Sequence, residues 1–400
     1  MRGLYFFLLI LYGVSFISAH AQDDKMPIIA YMGIPDWHTN EEDFKTLSEC
    51  GFNVSLYPYQ SLEQLVKACR YAEKYGVKII ARCPEMEKSP QKTAYILKKE
   101  KGFGGYIIQD EPSVPDIILR QKEINRLKSV DDSHCFYINL QPFYRQDWVE
   151  SNTKVKTYPE YLKVAAATPC QQLSFDHYPI TTKGVRKTWY HNLEMVREES
   201  INSGKPFWAF VLSVSHDVPY TPNTYYPMPT LGSLRLQAYS NLAYGAQGIQ
   251  YFTYWTPGKS ENYNYHDAPI SYNGMKTKTY YLVKQMNSEL RSIASLFYHA
   301  KIISVKHLGT LPEGTTRLKT IPENLRLLKI IGRMGAIVSQ IHKNGHLYLA
   351  IVNKNHKETM KVKIKVNNKI PKHLTKELST ERIKPLYIVE PGDILLFMLK

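Results

Sequence analysis

Residues 103–130 read FGGYIIQDEPSVPDIILRQKEINRLKSV. A short apolar run closes on two adjacent carboxylates, Asp110 and Glu111, and is stopped by Pro112; a segment of helical length follows. This is one strand, one turn and one helix. The same grammar recurs from Pro27 to about residue 300. Its strand candidates are PIIAYMGI, FNVSLYPY, VKIIARCPE, FGGYIIQDE, HCFYINLQ, QQLSFDHYPI, KPFWAFVLSVSH and AQGIQYFTYW. Helix candidates follow them, such as SLEQLVKACRYAEKYG, where Leu62, Leu65, Val66, Cys69 and Ala72 recur at helical spacing. Unbroken β–α alternation predicts a parallel sheet. Eight units over this length predict a closed (β/α)8 barrel rather than an open doubly wound sheet.

After Ala300 the pattern changes. HLYLAIVNKN, TMKVKIKVNN and PLYIVEPGDILLFML are short strands separated by turn residues, and KVKIKV alternates as a strand with one wet face does. Residues 301–400 are therefore expected to form an all-β sandwich, and residues 22–300 the barrel. Without a low-complexity linker between them, the two domains are expected to pack tightly.

The opening MRGLYFFLLILYGVSFISAHAQ sets Arg2 before an apolar stretch that exits on Ala19-His20-Ala21. That is the pattern of a secretory signal peptide over residues 1–21, cleaved before Gln22. The expected location is the periplasm or the cell exterior, and no further stretch has the apolar length of a membrane span. Cys50, Cys69, Cys83, Cys135 and Cys170 are odd in number, widely spaced and lack C-x-x-C, so neither a metal site nor a disulfide framework is expected. Residues 301–400 hold 19 Lys and Arg against 7 Asp and Glu, which is +12 of the total formal charge of +15. A basic terminal domain suits an acidic polymer such as a sulfated or uronic glycan, or is simply a lysine-rich wet surface. No nucleic-acid module is apparent. No glycine-rich phosphate loop follows the first strand, so no nucleotide cofactor is expected.

A barrel of this kind carries its working groups at the carboxyl ends of its strands. The ends fall at Asp36 and Trp37, at Tyr57, at Arg82 and Glu85, at Asp110 and Glu111, and at Asn139 and Gln141. The remaining three fall at Asp176, His177 and Tyr178, at Ser213, Ser215 and His216, and at Tyr254 and Trp255. Carboxylates, amides and aromatics together make a carbohydrate cleft: rings stack on sugar faces and polar groups bind hydroxyls. Asp36, Trp37, Tyr57, Asn139, Asp176, His177, Tyr178, His216, Tyr254 and Trp255 are the candidate substrate contacts, and no metal is expected. The aromatic-rich TYWTPGKSENYNYHD is read as a substrate-facing loop. Adjacent carboxylates raise one another's pKa, which suits a general acid. They pose a geometric difficulty too, since successive strand residues face opposite ways. The plain alternative pairs Asp110 with Arg82 or Lys78.

YIIQDEPS resembles the fourth-strand motif of (β/α)-barrel glycoside hydrolases, in which a Glu before Pro is the general acid; the likeness extends to the barrel layout and the terminal β domain. It implies that Glu111 is the acid/base. Two subgroups share the motif. The large retaining clan reads Asn-Glu-Pro and places a second Glu at the end of strand seven. Here Asp110 replaces the Asn, and FWAFVLSVSH ends without a carboxylate. The β-N-acetylhexosaminidases with an Asp-Glu pair use the substrate's acetamido group as nucleophile. In that case Asp110 would orient the acetamido group, Tyr178 would sit beside it and Trp255 would form the floor. The sequence reading is thus a glycoside hydrolase of an oligosaccharide or polysaccharide, with Asp110 and Glu111 catalytic by substrate assistance. Its rivals are a conventional two-carboxylate glycosidase recruiting Asp176 or Asp217, and a barrel that binds glycan without cutting it.

Overall fold

The computed structural model describes residues 25–145, 155–218, 221–258, 263–367 and 370–400; the expected signal peptide lies outside them. Eight parallel strands run as β1 (Ile28–Tyr31), β2 (Val54–Pro58), β3 (Lys78–Arg82), β4 (Phe103–Asp110), β5 (Cys135–Asn139), β6 (Leu173–Phe175), β7 (Phe207–Leu212) and β8 (Gly248–Phe252). β1 pairs with both β2 and β8, and the remaining strands follow in sequence to either side. The ring closes where Leu140, just past β5, bridges Phe175 and donates its N–H to Ser174 O at 2.7 Å. The fold is a (β/α)8 barrel.

Among the described residues eight helices of eight residues or more wrap it: α1 (Glu41–Glu49), α2 (Leu62–Lys74), α3 (Pro90–Leu97), α4 (Val114–Lys128), α5 (Tyr158–Ala166), α6 (Trp189–Ser203), α7 (Leu231–Tyr244) and α8 (Lys278–Phe297). Six start on a side chain that accepts one of the free first-turn N–H groups: Asn40, Ser61, Ser113, Thr157, Thr230 and Thr277. The strands bury both faces, which is why they read as continuous apolar runs. Ile28, Ala30, Ile79, Ala81, Tyr106, Ile108 and Ile138 pack under the helices. Ile29, Val54, Leu56, Ile80, Tyr137 and Trp208 fill the barrel interior. The glycines of FGGYII reflect close strand approach: a Cβ on Gly105 would lie 2.4 Å from Cys135 Sγ.

Beyond Ala300 lie two antiparallel sheets. The larger orders Lys301–Leu308, Ala336–Lys343, His346–Asn353, Ile394–Met398, Lys372–Leu374 and Thr380–Glu381; the smaller orders Leu325–Ile331, Met360–Val366 and Leu386–Val389. Their facing side chains, including Leu328, Ile330, Val338, Ile351, Val362, Ile364 and Phe397, form one core. In KVKIKV, Val362 and Ile364 turn inward while Lys361, Lys363 and Lys365 are exposed. The other face of the larger sheet carries Ile337, Ile341, Ala350, Val352 and Leu396 into the barrel's own core, and Ser339 Oγ donates to Ala243 O at 2.8 Å. The five cysteines are free thiols. Among the described residues no helix is long and apolar enough to cross a membrane, and no group of three or more His, Cys, Asp or Glu is placed to hold a metal ion.

Candidate active site

The geometric difficulty of Asp110 and Glu111 is resolved by a bulge. Ile107 pairs with Tyr137 and faces the barrel interior, but the next paired residue is Gln109, opposite Ile138, so Ile108 is extra. Gln109 therefore turns outward, where its Oε1 accepts from Arg120 Nε on α4 at 2.7 Å. The phase is reversed, and Asp110 enters the barrel mouth opposite Asn139. Glu111 then adopts a left-handed backbone, φ 43°, a conformation that costs a non-glycine residue about 1 kcal/mol or more. Its neighbours hold it there. Glu111 N–H donates to Asn139 O at 2.8 Å, Gln141 Nε2 donates to Glu111 O at 3.2 Å, and Tyr161 Oη donates to Pro112 O at 2.8 Å. Ser113 and Asp116 then close a capping box that starts α4. Both carboxylates of the pair face one cavity of about 410 Å3.

Asp176, one residue past β6, faces the same cavity. Asn139 Nδ2 donates to Asp110 Oδ1 at 3.0 Å and to Asp176 Oδ1 at 3.3 Å. A directed chain beneath fixes that amide. Tyr137 Oη donates to Gln250 Oε1 (2.8 Å), Gln250 Nε2 to Ser174 Oγ (2.8 Å), and Ser174 Oγ to Asn139 Oδ1 (3.1 Å). The Asn139 oxygen is thereby occupied, so its two N–H groups must point at the acids. Tyr31 also hydrogen-bonds Asp110, and Tyr178 hydrogen-bonds Asp176.

Burial raises the pKa of all three carboxyls, although Asp110 opens to the cavity. For Glu111 the Asp110 charge raises it further, and Arg145 opposes. Asp176 is raised well above the usual range by burial and by the Glu111 and Asp110 charges. Glu111 and Asp176 line the same cavity and their charges act on one another, so the proton affinity of each depends on the state of the other. Asn139 and Tyr178 act on the Asp176 side of the pair and Arg145 on the Glu111 side, each opposing the rise that burial and the neighbouring acids cause. Such a pair can protonate a leaving group and attack, or base-activate, from nearly the same place.

Of the expected contacts, Asn139, Asp176, Tyr178 and His216 line this cavity with Asp110 and Glu111. His216 Nδ1 donates to Asp217 O at 2.8 Å, burial lowers its pKa to about 4, and its buried Nε2 has no partner. It is a neutral acceptor. The other candidates lie elsewhere. Asp36 and Trp37 sit on a rim turn, Trp37 edge-on to Tyr57 at 6.1 Å and near Tyr272. His177 points into the helix layer, where Nδ1 meets Asn192 Oδ1 at 2.9 Å. β8 ends at Phe252, two residues before the expected end. Phe252 therefore lines the cavity. Tyr254 packs on Phe52, and Trp255 donates to Tyr272 O at 3.2 Å rather than forming a floor. Asp217 is exposed on a hairpin and is not in the cavity wall. Arg82 pairs with Glu87 and Glu123, and Lys78 Nζ donates to Lys101 O, so neither engages Asp110.

Sequence reasoning missed Tyr31, Tyr144, Arg145, Arg186 and Tyr226, all of which line the cavity. Tyr31 was legible as the last residue of β1; the others come from loops whose reach no periodicity encodes. Tyr263 and Tyr265, from the aromatic-rich loop, stack at 5.2 Å on the cavity wall.

The sequence model of the glycoside hydrolase 42 family, described as β-galactosidase, matches residues 137–293. A β-galactosidase from Bacillus circulans sp. alkalophilus superposes with TM-score 0.64 at 10% identity, over 94% of this chain and 99% of that one. A catalytic mutant of a GH42 β-galactosidase from G. stearothermophilus gives 0.62 at 8%, over 94% and 98%. Against a β-galactosidase from the psychrophilic Marinomonas ef1 the TM-score is 0.49 at 10% identity; 68% of this chain is covered, and it spans 60% of that chain's length. No curated protein sequence matches. At such identities the likeness is one of fold. Taken with the family match, it supports a glycoside hydrolase.

Proposed function

We propose that the protein is a conventional two-carboxylate glycosidase, with Glu111 as acid/base and Asp176 as the second carboxylate. The observation that carries this is that Glu111 and Asp176 line one cavity, close enough for the charge of Glu111 to raise the Asp176 pKa. Inverting enzymes hold their carboxyls about 6.5–9.5 Å apart to admit a water, and retaining enzymes about 5–5.5 Å. We infer the retaining scheme, in which the second carboxylate acts from close to the acid, because the charge of Glu111 is near enough to raise the Asp176 pKa. In this scheme Glu111 gives its proton to the leaving oxygen as Asp176 bonds to the anomeric carbon. The glycosidic C–O bond breaks, and the leaving alcohol departs. Glu111, now ionised, takes a proton from water, whose oxygen displaces Asp176 and restores the starting configuration. Asp110 and Asn139 position the pair.

Substrate assistance, the expectation from the adjacent Asp-Glu, is not supported. It needs no second carboxylate beside the acid, and the aromatic floor it implied at Trp255 is not in the cavity. The family match makes a β-galactoside the first substrate to try. Export through the N-terminal leader, and action on an external glycan, belong to the same proposal.

The test is Asp176→Ala assayed on nitrophenyl β-galactoside with and without azide. Loss of turnover with azide rescue to an α-galactosyl azide identifies Asp176 as nucleophile. Undiminished turnover of Asp176→Ala overturns the assignment. Cleavage by the unaltered protein only of 2-acetamido glycosides would return the mechanism to substrate assistance.

A further inference from the structure

The cavity holds two guanidinium groups that the hydrolytic scheme does not use. Arg70, Arg82, Arg120 and Arg235 are engaged in ion pairs. Arg145 and Arg186 are in none among the described residues, yet both line the cavity with the three acids. Arg186 is held rigidly. Its guanidinium lies 4.6 Å from the Tyr144 ring centroid and 5.7 Å from that of Tyr226, and one terminal N–H donates to Tyr226 Oη at 3.1 Å. Its Nε is buried and has no partner among the described residues. A stacked guanidinium with a free edge is built to receive an oxyanion, since its planar fork matches a carboxylate or sulfate in a way a lone hydroxyl does not.

The plain alternative makes both arginines counter-ions of the catalytic acids. Arg145 does lower the Glu111 pKa. Arg186 is bonded instead to Tyr226 Oη and stacked on Tyr144, and its charge acts on Tyr144 and His177. Tyr144 lies between the two sets and feels the acids as well as Arg186. Among the described residues the Arg186 charge thus has no ion-pair partner, although it lines the same cavity as the three acids and its tyrosine-rich wall.

We propose that the cavity takes a sugar bearing an oxyanion, either a uronate carboxylate or a sulfate ester, seated on Arg186 with Arg145 alongside. This rests on the cavity being the glycosidase site, and it narrows the substrate from a neutral galactoside to an anionic one.

The test is calorimetric titration of the full chain carrying Glu111→Gln, so that ligands bind without turnover. The probes are methyl β-galactoside, its 6-sulfate and methyl β-galacturonide, together with the glucose-configured set. At least one anionic ligand is expected to bind tenfold or more tightly than its neutral partner, with the advantage shrinking in high salt. Arg186→Met should reduce that advantage to within twofold, and Arg186→Lys, which keeps charge but not the fork, should leave part of it. Tighter uronide than sulfate binding would identify the carboxylate, and the reverse order the ester. Equal or better binding of the neutral sugars, no binding of any anion, or an anion advantage that survives Arg186→Met would overturn the proposal. Hydrolysis by the unaltered protein separates this from the functional reading. Arg186-dependent anion binding with no cleavage of any glycoside leaves the anion site standing and removes the hydrolase. Cleavage of neutral glycosides without anion binding does the opposite.

Discussion

Two clusters of buried carboxylates in this molecule are driven in opposite directions. At the barrel mouth, Asp110 and Asp176 receive the neutral donors Asn139, Tyr31 and Tyr178, no ion pair forms with the three acids among the described residues, and burial lifts the pKa of Asp110, Glu111 and Asp176. At the seam with the β domain, Glu289 meets Arg235 (2.9 Å from Nε), Lys376 (2.6 Å) and Tyr239 (2.7 Å), while Asp393 takes Lys376 at 2.9 Å. There burial raises the Glu289 pKa too, but the bonds from Arg235 and Lys376 outweigh it and lower it to about 2. The residue types match and the neighbours differ. A carboxyl held in ion pairs is a clamp, whereas one buried beside other acids and outside any ion pair holds a proton it can give away.

The largest expected effect is at the mouth. Glu111→Gln should lower turnover about a thousandfold while raising the melting temperature at pH 7. A carboxyl whose folded pKa is raised costs stability above its unfolded pKa, and the amide removes that cost. Calorimetry beside a rate assay checks both signs, and a melting temperature that drops would erase the contrast between the clusters.

Glu289→Gln should do the reverse, destabilising by about 3 kcal/mol because it strands buried cations, with turnover per folded molecule within about twofold. Its acid profile sharpens the point. The Glu289 contribution is present above pH 4.5 and lost as pH falls through 4.5 toward 2. The variant's melting temperature should therefore fall less steeply across that window. Ser174→Ala frees the Asn139 amide to turn and should cost about tenfold in kcat with KM little changed; an unchanged kcat would mean the buried chain beneath the acids does not set their orientation. The smallest effect is a displacement along the pH axis. Glu111 acts protonated, so the charge of Asp110 extends activity to higher pH. Asp110→Asn should move the alkaline limb of kcat/KM to lower pH, and a limb that stays put would show burial alone at work.

Most of the barrel was legible because each unit repeats the same physical demand: a strand buried on both faces, then a helix with a capped start. The β domain was legible through KVKIKV, where alternation announces one wet face. The mouth was legible only as far as strand ends could be counted. Asp110, Asn139 and Asp176 were located because they end or directly follow strands. Trp255 was placed wrongly because the apolar run of QYFTYW continues past the residue where pairing stops, and His177 because Asp176 beside it already faces inward. Arg186 and Tyr144 gave no signal at all. They arrive from connections whose course is set by packing, not by any period in the sequence.

The extra residue in β4 has a consequence for how such sites change over time. In a strand, function is assigned by odd or even position, and Ile108 alters the count by one. Deleting it would restore plain alternation and leave Gln109 outward and Asp110 at the mouth, whereas a strand of the same length paired without the bulge would turn Gln109 to the mouth and Asp110 toward Arg120. The bulge, and not residue order alone, therefore decides which side chain stands beside Glu111, and a relative without it must be aligned with a gap at Ile108 for each residue to keep its face.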